Sequence, residues 1–247
     1  MKLMTSLAMT TALLTGVLGV QQAVAAISLD RTRVIFNGDQ KSISLSISNQ
    51  NKELPYLAQG WIEDATGNKV TSPLMVLPPL QRVEPGAKSQ VKIQASPEVA
   101  SLPQDRESLF YFNLREIPPK SSKPNTLQIA LQTRIKLFYR PAKLVTRDTK
   151  AWQEKLTLTR VGDQYQVNNP TPYFITLASA SASLGGKDIA GVNPVMIAPK
   201  ANVMLGGSAA AVGAAPVLTY INDYGGRPKL VFGCNGSTCS VRSSKAG

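Results

Sequence analysis

Apolar residues recur at nearly every second position from Leu127 to Tyr139, with Leu127, Ile129, Leu131, Thr133, Ile135 and Leu137 on one parity. Period-two alternation marks a strand with one buried face, ordinarily over about 4–8 residues. A run this long predicts a strand whose first half overhangs its own sheet. The overhang would offer an apolar comb to another protein by strand addition. A long core strand is the plainer reading.

The same pattern, in shorter pieces, fills the rest of the chain, and helical periodicity is nearly absent. Val34-Ile35-Phe36 precedes Asn37-Gly38, and Ser42 to Ser48 alternates Ile43, Leu45 and Ile47 against serines. Pro55 to Ile62 carries Tyr56 and Trp61, Val91 and Ile93 continue a further strand, and Leu109 to Leu114 leads through a Pro-rich loop into the comb. Ala65-Thr66-Gly67-Asn68 and Glu84-Pro85-Gly86-Ala87 read as turns. The first half therefore holds about seven strands, as expected of an immunoglobulin-like sandwich. Pro141 closes the comb, since proline cannot continue a central ladder. The domain boundary is placed near residue 146.

The second half predicts strands at 156–158, 165–167, 173–177, 195–197, 217–221, 229–234 and 240–242. The Gly/Ala stretch Gly206 to Ala215 is low in complexity and reads as a flexible loop.

Lys2, an apolar run through Leu18 and the small residues Ala23-Val24-Ala25 form a secretory signal peptide over residues 1–25. The run falls short of the roughly 20 apolar residues that a spanning helix needs, and no later segment is apolar enough to insert in a membrane. The mature chain would begin at Ala26. The remaining 222 residues fit two domains, 26–146 and 147–247.

Export changes the reading of the two cysteines. Cys234 and Cys239 flank Asn-Gly-Ser-Thr, and in an oxidising compartment they are expected to form one disulfide across a tight hairpin. A redox-active pair is the alternative, although the spacing is not C-x-x-C.

The chain carries 27 Lys and Arg against 15 Asp and Glu, a net charge of +12, and loss of Lys2 leaves +11. These cations are dispersed without a basic run or an aromatic nucleic-acid motif, so acidic protein partners suit the charge better than nucleic acid. The chain has no His, which excludes Ser-His and Cys-His catalysis and His-based metal sites. Ser89-Gln90-Val91-Lys92 matches an S-x-x-K pattern but lies in an expected strand, where that chemistry uses a helix. Gly185-Gly186-Lys187-Asp188 lacks the rest of a phosphate loop. Neither an enzyme nor a cofactor-dependent function has positive support.

The run Leu102 to Pro118 (LPQDRESLFYFNLREIP) resembles the signature of the periplasmic chaperones of the chaperone–usher pilus pathway. Ala26 to Arg33 (AISLDRTR), Asn49 to Trp61, Pro78 to Ser89, Leu127 to Pro141 and Tyr220 to Pro228 (YINDYGGRP) are similar to further stretches of that family. The resemblance covers most of the mature chain and is weak only over residues 178–216.

It implies an all-β protein of two immunoglobulin-like sandwiches in a boomerang arrangement, located in the periplasm. Its partners would be pilus subunits, the adhesin and the outer-membrane usher. Leu127, Ile129 and Leu131 match the positions that such chaperones insert into the groove of an incomplete subunit. Arg33 and Lys136 match the pair that binds the subunit's C-terminal carboxylate. Glu107, Arg140 and Asp223 match an inter-domain ionic group. The short loop Lys120 to Asn125 resembles that of chaperones for rod-forming or adhesive pili. The resemblance leaves open whether the free chaperone caps its own donor strand by dimerising. A secreted immunoglobulin-like structural or adhesive pilus component is the alternative function.

Overall fold

The computed structural model describes residues 25–145 and 151–247. The expected signal peptide, apart from Ala25, and the boundary near residue 146 lie outside the described residues.

In the N-terminal lobe the strands are β1 (Ile27–Leu29), β2 (Arg33–Asn37), β3 (Ser42–Asn49), β4 (Tyr56–Asp64), β5 (Lys69–Val70), β6 (Leu74–Leu77), β7 (Leu80–Val83), β8 (Lys88–Ala95), β9 (Ser108–Ile117) and β10 (Gln132–Arg140). One sheet has the order β1-β3-β8-β6; the other has the order β2-β10-β9-β4-β5, with β7 also paired to β4. Alternation decides what lies between the sheets. On β3, Leu45 and Ile47 are buried while Ser44 and Ser46 are exposed. Val34, Phe36, Val91, Ile93, Phe112, Leu114 and Leu137 complete the same core. The Ser89–Lys92 motif sits on β8 with Lys92 exposed and Ser89 on the opposite face, as residues three apart on a strand must be.

The C-terminal lobe contains β11 (Thr157–Val161), β12 (Gln164–Asn169), β13 (Ile175–Ser181), β14 (Val195–Ile197), β15 (Ala201–Leu205), β16 (Val217–Ile221), β17 (Lys229–Asn235) and β18 (Thr238–Lys245). They form one hydrogen-bonded sheet in the order β14-β13-β16-β17-β18-β11-β12-β15. Its two end strands touch, so the sheet folds into two layers around Leu158, Val167, Leu177, Leu218, Leu230 and Phe232.

Two expectations need correction, and a third is met. The overhang expected in the first half of the comb is present: the β10 ladder begins at Gln132, Leu131 O still accepts from Glu116 N of β9, and Leu127 to Ala130 extend beyond without a strand partner. The opposing arm carries Pro118 and Pro119, which have no N–H to donate. The Gly206 to Ala215 stretch is not a simple loop. Ser208 caps a single helical turn, α1 (Ala209–Val212), by accepting from Ala211 N, and Ala209 and Val212 are buried. Small residues leave almost no periodic signal, so their packing was not legible. The hairpin between Cys234 and Cys239 turns one residue later than Asn235-Gly236 implied. Asn235 pairs with Thr238, and Gly236 takes φ +60 in the two-residue turn. The two cysteines are disulfide-bonded. β15 was not foreseen, because only Leu205 on it is fully buried.

Candidate functional site

β10 pairs with β9 on one side, antiparallel, and with β2 on the other, parallel. The parallel register opens with Lys136 opposite Arg33 and closes with Arg140 opposite Asn37. Residues opposite one another in a ladder project from the same face. Ile135, Leu137 and Tyr139 point into the N-terminal core, so Lys136, Phe138 and Arg140 project the other way, toward the C-terminal lobe.

Two cations are thereby forced together at the start of the β2 ladder. Arg33 Nη1 donates to Ile221 O at 3.3 Å, and Lys136 Nζ donates to Thr176 Oγ1 at 3.2 Å. Both residues are half-buried. Burial lowers the Arg33 pKa, against the opposing pull of Asp223. Burial also lowers the Lys136 pKa, and the neighbouring Arg33 adds to the effect. Arg33 Nε is buried without a hydrogen-bond partner. Among the described residues, neither cation has a carboxylate within ion-pair distance. Two desolvated cations with unused donors form a site that an added carboxylate would stabilise. A cavity of about 860 Å³, lined by Arg33, Ile35, Trp152, Tyr220 and Tyr224, opens beside Arg33 between the lobes.

Four residues further along the same face, Arg140 joins the lobes. Its Nε donates to Glu107 Oε1 at 2.8 Å, its Nη2 lies 2.7 Å from that oxygen, and its Nη1 donates to Asp223 Oδ2 at 2.9 Å. Glu107 Oε2 accepts from Phe174 N at 2.8 Å. Burial pushes the Glu107 carboxyl up to about 7, against the opposing pull of Arg140 and the Phe174 amide. The expected Glu107, Arg140 and Asp223 thus meet in space although Asp223 lies 83 residues from Arg140.

Sequence reasoning missed the aromatic part of this contact. The Arg140 guanidinium lies over Trp152 and Tyr173, at 4.8 Å and 5.0 Å, and those rings stack at 4.4 Å. Phe138 packs on Phe174 at 5.4 Å. Thr176 and the Ile221 carbonyl were missed as well. A contact made by one aromatic or one carbonyl has no period or spacing to betray it.

At the other end of the same segment, Leu127, Ile129 and Leu131 are 85%, 66% and 38% exposed. The three expected donor residues therefore stand as an apolar row in solvent, continuous with the strand that bears Lys136. No helix among the described residues is long and apolar enough to cross a membrane.

Residues 26–145 match the family model described as "Pili and flagellar-assembly chaperone, PapD N-terminal domain", and residues 151–232 match "Pili assembly chaperone PapD, C-terminal domain". The chain is 54% identical over 235 residues to "Probable fimbrial chaperone YfcS" of Escherichia coli strain K12, covering 95% of this chain and 92% of that one. It is 53% identical over 224 residues to "Chaperone protein PapD" of Escherichia coli, covering 90% and 92%. Among solved structures, that of Salmonella enterica SafA pilin in complex with the SafB chaperone matches with a TM-score of 0.66 at 28% identity, covering 83% of this chain and 93% of that one.

Proposed function

The chain belongs to the PapD family of pilus-assembly chaperones, and on that premise we propose that it folds, stabilises and caps pilus subunits in the periplasm by donor-strand complementation. It would then deliver them to the outer-membrane usher. Names such as fimbrial chaperone among its relatives favour this role over that of a structural or adhesive pilus component.

The observation that carries the mechanism is the position of the cation pair at the end of an open strand edge. β2 joins β10 only from Arg33 opposite Lys136 onward. On that side the stretch from Leu127 to Ile135 has no partner strand. A subunit strand laid along it would end its C-terminal carboxylate at Arg33 and Lys136. To do so it must run in the same direction as β10, continuing the parallel pairing of β2. Leu131 lies five residues, roughly 16 Å, from the anchor, and Leu127 roughly 30 Å.

The anchor would then set the register, and register decides which side chains enter the subunit, since a slip of one residue turns the whole comb to the wrong face. Leu127, Ile129 and Leu131 would fill the groove left by the subunit's missing strand. Main-chain pairing would cover the subunit's open edge, which otherwise invites aggregation. The role requires neither a cofactor nor a covalent step. An exported, disulfide-bonded chain suits an oxidising compartment.

The test is co-expression of the chain in a bacterial periplasm with the pilus subunits encoded beside it. Soluble 1:1 complex is expected with the wild type and is expected to be lost with Arg33→Ala or Lys136→Ala. Equal recovery from all three would falsify the anchor.

A further inference from the structure

An unpaired apolar segment in water has no evident reason to remain extended, because each ordered backbone residue loses conformational entropy. The main-chain hairpin that supports the comb ends early. Glu116 N donates to Leu131 O at 3.0 Å, and beyond that pair Pro118 and Pro119 cannot donate.

A side chain supplies what the ladder lacks. Gln128 Nε2 donates to Pro119 O at 2.5 Å, and Gln128 Oε1 accepts from Ser121 N at 3.3 Å. Both bonds tie the comb to the opposite arm. At the tip, Thr126 Oγ1 donates to Lys123 O at 3.0 Å, and Asn125 takes a left-handed φ of +53. Gln128 has the opposite parity to Leu127 and Ile129, so its carboxamide binds the loop while those two side chains remain largely exposed.

We propose that Gln128 is a positioning residue for strand donation: its carboxamide replaces the missing ladder bonds and holds the comb extended before a subunit arrives. The proposal rests on the strand-donation reading above. Its consequence is kinetic. Ordering that is complete in the free chaperone need not occur at encounter, so capture is faster. Gln128→Glu keeps the acceptor for Ser121 N but sets a carboxylate against the Pro119 carbonyl, so it should behave like Gln128→Ala.

The experiment compares the mature wild type, Gln128→Ala, Gln128→Glu and Arg33→Ala. Backbone amide order parameters from NMR relaxation over residues 126–131 of the free protein are one readout. The others are the association and dissociation rates with a pilus subunit diluted from denaturant. Both Gln128 variants should show lower order parameters over 126–131 and associate about fivefold more slowly, the ratio that two solvent-exposed hydrogen bonds at the low end of their net worth would give. Their dissociation rate and melting temperature should be unchanged.

Unaltered order parameters over 126–131 overturn the proposal. So does faster association, which would make Gln128 a restraint on the comb, and so does a change confined to dissociation, which would make it a direct subunit contact. If the wild type captures no subunit, or Arg33→Ala captures as well as the wild type, the functional reading fails, and the relaxation arm still decides whether Gln128 orders the comb.

Discussion

The two ends of one continuous segment, Leu127–Leu131 and Lys136–Arg140, have similar alternation and opposite fates. At the second end β2, β9 and the C-terminal lobe supply partners, and Leu137 is fully buried while Arg140 is 6% exposed. At the first end β2 has not begun and the prolines after β9 cannot pair, so similar apolar side chains stand in water. Alternation specifies which face a residue takes. Whether that face is covered depends on where the neighbouring strands stop. The molecule keeps its stability at one end of the segment and, on the proposed function, its binding capacity at the other.

Substitutions can break that division, and the largest effects belong to the buried end. Arg140→Ala would strand Glu107 in a dry site and is expected to lower stability by about 3–5 kcal/mol, measured by calorimetry. Leu137→Ala should cost about 2–5 kcal/mol through lost burial and cavity formation. If either left the melting temperature unchanged, the buried end would not be where stability resides.

The anchor comes next. Arg33→Ala and Lys136→Ala each remove a charge-assisted bond worth about 1.5–3 kcal/mol, so affinity for a peptide bearing a subunit's C-terminal carboxylate should fall about tenfold to hundredfold. The melting temperature should not fall, since each change relieves a desolvated cation beside another. Titration calorimetry and a thermal melt on the same samples separate the two effects.

Ile129→Ser sharpens the contrast with Leu137. At 66% exposure its side chain contributes little to the free fold, yet full burial in a subunit would be worth about 1.5–3 kcal/mol. Subunit binding should weaken while the melting temperature holds. A variant that binds as well as the wild type would remove Ile129 from the comb.

The smallest expected effect is a pH dependence. Burial and Arg33 hold Lys136 below its usual value of 10.5. A bound carboxylate opposes that shift and favours the protonated amine. Binding is then linked to proton uptake, and affinity should decline as pH rises through the titration of the free lysine, beginning below 10.5. Lys136→Arg keeps its charge and should flatten the decline in peptide affinity between about pH 7 and about pH 10.

Much of the fold is legible in the amino-acid sequence. Ile43, Leu45 and Ile47 against serines marked β3, Gly86 and Gly67 fell in the expected turns, and the spacing of Cys234 and Cys239 marked a closed hairpin. The site was legible in a different way. Arg33, Lys136, Glu107, Arg140 and Asp223 came from resemblance to a family, and no period or spacing singled them out. The stacking of Trp152 on Tyr173, the Thr176 hydroxyl beside Lys136 and the pinning of the comb by Gln128 had no signal in either form.

By itself the amino-acid order determined what each stretch could become, because pleat, turn and export signals are local properties of neighbouring residues. Only the tertiary structure decided at which residue of the segment from Leu127 to Arg140 the cover begins, and that Arg140 meets Glu107 and Asp223 across 33 and 83 residues. Those outcomes depend on where distant strands begin and end, and on how much water remains between them. A one-dimensional pattern does not carry either quantity.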